Sequence, residues 1–337
     1  MRYNSIPASV KKYVIEDQEA VDSYLTTLGG GHFSDTATGG DYASSVSSIP
    51  YCKNIGIRGL LGAVSPAPGA DVFDMLGGSG QVALAAQQYG LCSFADAIIT
   101  ADIEIDQVER ALRRGLRAVP LDLADPRIIR NSSVHHLLYA YGFHHLSPDA
   151  RASAAREAYR ILKPGGTAVF YDGTIGTTTE RISSLVVDRL SDHPHKYPHP
   201  TVDEIEAAAE AAGLELRGTF RILDPQIFLS ATGSQARQLA AQYYADHYAI
   251  DSLSWELLHD HLTDAYRSSN PIDAPEMSTG RQELAGWLPW NETYSGPTSA
   301  KLLQAIFPCG WDTPDESCRE CVVIPREGVA VIYNKPQ

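Results

Sequence analysis

Residues 71–80 read DVFDMLGGSG, and the fold of the chain turns on how that stretch is understood. Ala70, Val72, Phe73, Met75 and Leu76 make an apolar run of strand length around Asp74, after which Gly77, Gly78, Ser79 and Gly80 turn the chain into a helix from Gln81 to Tyr89. Residues without a Cβ let backbone come close to a ligand and supply positive φ angles at a strand-to-helix turn. The helix N-terminus adds unpaired N–H groups. Together these parts make a nucleotide cradle, although glycines alone also make ordinary tight turns.

The bulk properties narrow the ligand. A chain of 337 residues can bury a large core in one or two domains, and its net charge of −14 argues against gripping nucleic acid through phosphates. A small-molecule substrate is expected instead. Met1 to Lys12 is mixed and polar, so neither a signal peptide nor a membrane span is expected and the cytoplasm is the default location. The 5 cysteines do not resemble a disulfide framework.

Outward from the glycine loop, strands and helices alternate. Ala95 to Ile103 reads as a second strand, Arg117 to Leu121 as a third, Val134 to Tyr141 as a fourth, Thr167 to Tyr171 as a fifth and Leu214 to Leu223 as a sixth. Helices are expected at 106–114, 147–162 and 201–212. This spacing predicts a parallel, doubly wound α/β sheet with its ligand at the carboxyl ends of the strands. An acid about twenty residues beyond the loop, at the end of the second strand, is placed to accept hydrogen bonds from ribose hydroxyls, and Asp102 fills that position.

On these residues the stretch from about Ala70 to Gly173 resembles the class I S-adenosylmethionine-dependent methyltransferases. The matching pieces run in family order: VFDMLGGSGQ, TADIEIDQVERAL around Asp102, PLDLAD with Asp122, then SSVHHLLYAYGFHHLSPDA and RILKPGGTAVFYDG. The resemblance implies a Rossmann-like core binding S-adenosylmethionine. Gly78 and Gly80 would approach the cofactor over Leu76, Asp74 would organise its methionine end, Asp102 would bind the ribose hydroxyls, and Ile103 beside it would also be cofactor-binding. Asp122 and Leu123 would hold the adenine. Tyr139 would face the methyl-transfer position, and Tyr139, Tyr171 and His32 are the candidate catalytic residues.

Two departures bear on the reaction: Leu76 replaces the loop's first glycine, and His135 replaces an acid at the start of the fourth strand. No acceptor signature is present. The expected activity is methyl transfer to a small-molecule nucleophile, as in secondary metabolism, giving S-adenosylhomocysteine. The alternative is that of azetidine-2-carboxylate synthases, relatives in which the cofactor's α-amine attacks its own γ-carbon and methylthioadenosine leaves. A nicotinamide dehydrogenase shares the glycine-loop logic, but the LKPGG turn counts against it. A non-catalytic module that binds the cofactor is a further reading.

The organisation expected is an N-terminal helical and loop lid over residues 1–60, a core over 61–232, a helical cap inserted at 233–310 and a final strand region at 311–337, with the strand itself at Cys321 to Tyr333. No metal is expected. Cys309, Cys318 and Cys321 lack a nearby fourth ligand, and His193, His195 and His199 read as polar loop residues. His144 and His145 occupy family positions that are usually structural. Trp287, Trp290, Tyr294 and Trp311 read as cap core, or as faces beside a sulfonium.

Overall fold

The computed structural model describes residues 1–31, 39–88, 96–268, 293–295 and 320–337. Four helices lead in: α1 (Ala8–Lys11), α2 (Gln18–Leu25), α3 (Gly39–Ser48) and α4 (Asn54–Val64). The core then alternates through β1 (Val72–Asp74), α5 (Gln81–Gln88), β2 (Ile98–Asp102), α6 (Ile105–Arg113), β3 (Ala118–Pro120) and β4 (Val134–Ala140). It continues with α7 (Pro148–Ile161), β5 (Leu162–Asp172), α8 (Thr178–Ile182), α9 (Val202–Ala211) and β6 (Glu215–Leu223). Last come β7 (Gln226–Ser230), α10 (Gly233–Tyr248), α11 (Trp255–Ser268), β8 (Thr293–Ser295), β9 (Glu320–Ile324) and β10 (Glu327–Asn334).

Seven strands form the main sheet in the order β3-β2-β1-β4-β5-β10-β6. The first five are mutually parallel, and β10 runs antiparallel to both β5 and β6. The order reverses at β1 and β4, so the carboxyl ends of these two strands flank the crevice where such sheets bind ligands. On one face α4, α5 and α6 pack through Ile57, Leu60, Val82, Ala86 and Val108. On the other, α7 and α9 pack with α1 and α2 through Ala154, Ala158, Ile205, Val10 and Tyr24.

Local chemistry sets the element ends. Ser147 caps α7 by accepting the Ala150 N–H at 3.2 Å, and Thr201 opens α9 with a capping box closed by Glu204. The KPGG turn becomes the start of β5, with a register shift between Val134 and His136. Gly166 is required there, because a Cβ would lie 2.8 Å from the carbonyl oxygens of His135 and Lys163.

A third apolar cluster gathers α10 and α11 with Phe228 of β7, Val322 and Ile324 of β9, and Ile182. Its small antiparallel sheet has the order β7-β9-β8. This corrects the single final strand expected at Cys321 to Tyr333. The run breaks at Pro325, which has no N–H to give a ladder, so β9 joins the small sheet and only β10 completes the main one. Trp287, Trp290, Trp311, Cys309 and Cys318 lie outside the described residues.

Candidate functional site

The site begins where β1 ends. Asp74 is 1 % exposed, and neither of its carboxylate oxygens has a hydrogen-bond partner. Burial, and then the neighbouring Asp102 charge, push its pKa up to about 8; the Leu76 N–H offsets this weakly without making a hydrogen bond of good geometry. The loop that follows has no room on its inner side. A Cβ on Gly77 would lie 2.6 Å from Thr100 and 2.9 Å from Asp74 Oδ2, and Gly80, at φ +93°, would drive one into Leu116. Gly78, at φ +52°, opens onto free space.

Asp102 closes the crevice from β2. Its Oδ2 accepts the Gly78 N–H and its Oδ1 the Glu104 N–H, each at 2.9 Å. Burial raises its pKa to about 6. Ile103 beside it is 43 % exposed. After β3, Asp122 Oδ1 accepts the Ala124 N–H at 2.8 Å, its own N–H donates to the Tyr24 hydroxyl at 2.7 Å, and Leu123 is buried. The unpartnered buried carboxylate, the open side of Gly78 and the acid at the end of β2 fit a cofactor that carries a cationic amino-acid end and a ribose. Leu76, the bulky departure, packs on Gly142, where a Cβ would stand 3.3 Å from Leu76 Cδ2.

A second group of side chains lies beyond the ends of β4 and β5. Tyr141 takes φ +63°, a left-handed conformation that costs a non-glycine residue energy. Its hydroxyl donates to Asp224 Oδ1 at 3.2 Å and its ring meets Tyr171 edge-on at 5.2 Å. Asp224, from the turn between β6 and β7, forms a buried ion pair with Arg326, from the turn between β9 and β10. The Lys53 ammonium stands over the Tyr141 ring at 5.0 Å. Lys53 has no hydrogen bond or ion pair among the described residues, and burial, reinforced by Arg326, lowers its pKa to about 8.

Helix α3 covers this region. Ser45 Oγ lies 2.9 Å from His247 Nδ1 of α10, and the Tyr42 ring packs on His247 at 4.5 Å. Burial raises the pKa of the Tyr42 hydroxyl, with Asp102 and Asp74 adding to the rise, so α3 lies within electrostatic reach of both cradle carboxylates. Arg114 ties the cover to the loop, donating to Ser47 Oγ at 2.6 Å and to the Ser79 carbonyl at 2.9 Å.

Most of the residues expected to bind a cofactor therefore converge. Asp74, Leu76, Gly78, Gly80, Asp102 and Ile103 stand together at the carboxyl edge, and Asp122 and Leu123 follow the adjacent strand. Tyr171 joins the second group, its buried hydroxyl unpartnered. Tyr139 does not. It lies stacked on Phe170 at 4.7 Å beside Phe143, in the cluster that holds Phe73 and Met75, whereas Leu138 and Ala140 share the opposite cluster with Tyr171. Alternation along a strand places Asp74 on the Tyr171 side, so Tyr139 is core on the far face of the sheet. His32 lies outside the described residues.

Residues 73–170, from the first strand to the fifth, match the family described as Methyltransferase domain. That stretch is a methyltransferase domain of the S-adenosylmethionine-dependent kind. The seven-stranded order with its antiparallel β10 agrees with that assignment, and S-adenosylmethionine is the cosubstrate that goes with it. No curated protein matches the sequence at a significant level. Among solved structures, the YcgJ protein from Bacillus subtilis is similar at 14 % identity, over 84 % of this chain and 98 % of its own, with a TM-score of 0.48. A geranyl diphosphate C-methyltransferase from Streptomyces coelicolor A3(2) gives 10 %, 87 %, 83 % and 0.47. A geranyl diphosphate methyltransferase in complex with S-adenosylmethionine gives 13 %, 91 %, 96 % and 0.44. All three are remote likenesses.

Lys53, Asp224 and Arg326 have no counterpart in the sequence reading of the methyltransferase site. The signal available was slight: charged residues beside prolines at Asp224-Pro225 and Pro325-Arg326, each next to an apolar strand run.

Proposed function

We propose that this chain transfers a methyl group from S-adenosylmethionine to a small-molecule nucleophile, and that Lys53 takes the acceptor's proton. The observation that carries the reading is the state of Lys53, which is 4 % exposed, without a hydrogen-bond partner among the described residues and poised at a pKa of about 8. A base acts best when its pKa lies near the working pH. S-adenosylmethionine brings a methyl group already activated by its sulfonium, which leaves the protein to align, exclude water and manage protons.

Asp74 and Asp102 would hold the cofactor's methionine and ribose ends, with Ile103 beside Asp102, and Asp122 and Leu123 along the adenine. Tyr141, half-buried at the end of β4, offers an aromatic face, beside which a cation gains roughly 0.5 to 2 kcal/mol. The Asp224 and Arg326 pair fixes Tyr141 through its hydroxyl. Lys53, Tyr141, Tyr171 and Asp224 are buried or half-buried, a setting that suits a small acceptor with a removable proton rather than a polymer.

Purified protein incubated with S-adenosylmethionine, alone and then with candidate acceptors, and followed by mass spectrometry, tests the reading. S-adenosylhomocysteine should form only when an acceptor is present. Methylthioadenosine with azetidine-2-carboxylate, from the cofactor alone, would replace this reading with the intramolecular one. Turnover should rise with pH through about 8 as Lys53 becomes neutral, then level off. Lys53→Met is expected to lower kcat by roughly 10²- to 10⁴-fold and erase that rise while cofactor binding persists. Unchanged turnover would remove Lys53 from the role.

A further inference from the structure

Four histidines from two separate stretches of sequence come together in the fold. His144 and His145 end a 3-10 turn (Phe143–His145) just after β4, while His195 and His199 belong to the proline-rich loop at 191–200. The fold lays that loop over the turn. The His144 ring lies 4.1 Å from that of His145 and 4.9 Å from that of His195, and His145 and His195 stand 5.1 Å apart. One ring nitrogen from each of the three lies within 4.8 Å of the others, and all three residues keep partial exposure, so an ion can reach them from solvent.

Imidazole nitrogens on a tetrahedral zinc stand about 3.4 Å apart, so these rings are splayed by at most about 1.4 Å beyond a loaded site. The second observation is what lies behind them. His144 Nδ1 is 2.7 Å from Asp172 Oδ1, and His195 Nδ1 is 2.7 Å from Asp188 Oδ1. Each carboxylate is fixed in turn by a backbone N–H, that of His144 at 2.7 Å and that of His195 at 2.8 Å. A carboxylate on Nδ1–H sets the tautomer and turns the Nε2 lone pair outward, the arrangement that supports histidine ligands to metals. His199 buttresses the set, stacked on His144 at 4.4 Å with its Nδ1 at the Gly173 carbonyl.

We propose that His144, His145 and His195 bind one divalent cation of the zinc class, with Asp172 and Asp188 as the outer partners that orient His144 and His195. Three imidazoles favour a late first-row metal over calcium or magnesium, which take oxygen ligands. The ion pins the loop at 191–200 to the carboxyl ends of β4 and β5. Asp172 follows Tyr171 directly, so the pin holds the rim of the methyltransferase site without entering it.

The test uses the full chain, stripped with a chelator and titrated with zinc and with cobalt, with bound metal counted after gel filtration and cobalt followed by its visible spectrum. About one equivalent is expected, with the cobalt bands of a tetrahedral nitrogen-rich site. His145→Gln and His195→Gln should each reduce retained zinc to less than about a tenth of that, while His193→Gln in the same loop keeps it. Circular dichroism of the stripped variants should match the stripped parent. A parent that retains no zinc, or folded His145→Gln and His195→Gln variants that retain it fully, overturns the assignment.

Discussion

Asp74 is a carboxyl group held without a partner, and its protonation should govern cofactor binding. Its folded pKa of about 8 exceeds the unfolded value of 3.8. The sign follows: its contribution to the stability of the ligand-free protein is complete below the unfolded value and is lost as pH rises through the folded one. A ligand ammonium favours the carboxylate, so binding releases a proton. The Kd for S-adenosylhomocysteine should fall by up to about tenfold per pH unit between pH 6 and 8 and then flatten. Calorimetry in buffers of different ionisation enthalpy reads the proton directly, and a slope that persists in Asp74→Asn would assign it elsewhere. Lys53 has the opposite sign. Its folded pKa lies below the unfolded 10.5, so its own contribution to stability should climb between about pH 8 and 10.5, read in urea melts as the difference between the parent and Lys53→Met. The two residues also differ in legibility. Asp74 is announced by the strand and glycines around it, whereas Lys53 precedes an ordinary helix and acquires its character from Tyr141, Asp224 and Arg326, all distant in sequence.

Among the elements, the turns after β6 and β9 are joined by Asp224 and Arg326, which places a full ion pair in the interior. Arg326→Leu leaves Asp224 buried without its ion-pair partner, offset only in part by the Tyr141 hydroxyl and the Lys53 charge, and should cost up to about 3 to 5 kcal/mol in urea unfolding, whereas Arg326→Met combined with Asp224→Asn should recover much of that. An equal loss in the single and double variants would show that the pair contributes only through its shape. At the start of α9, Thr201→Ala removes the capping box and should cost about 1 kcal/mol. Helices such as α7 and α9 are legible because their signals are local: a Ser or Thr cap, acids in the first turn, apolar residues at helical spacing. Strands β7 and β9 are less so. Each is a short apolar run next to another strand, and only Pro325 hints that the last run divides between two sheets.

For the molecule as a whole, alternation of strands and helices made the main sheet legible, because each crossover brings the next parallel strand beside its predecessor. The cover over the cradle was only partly legible, since nothing in α3 itself says that Ser45 meets His247 or that Ser47 meets Arg114. The contacts predict that the cover and the cradle respond together. Adding S-adenosylhomocysteine should slow amide hydrogen exchange in α3 as well as in the glycine loop, and exchange in α3 that ignores the ligand would separate the two.

The position of β10 has a consequence for biosynthesis. It lies between β5 and β6 and hydrogen-bonds to both, yet it is the last strand of the described chain to be made. Until it has been made, β5 and β6 each present a bare edge to solvent or to a neighbouring nascent chain. The sheet therefore closes only once β10 has been made, by a strand that enters between two others, and a chain truncated before Glu327 should yield not a shortened enzyme but an aggregate.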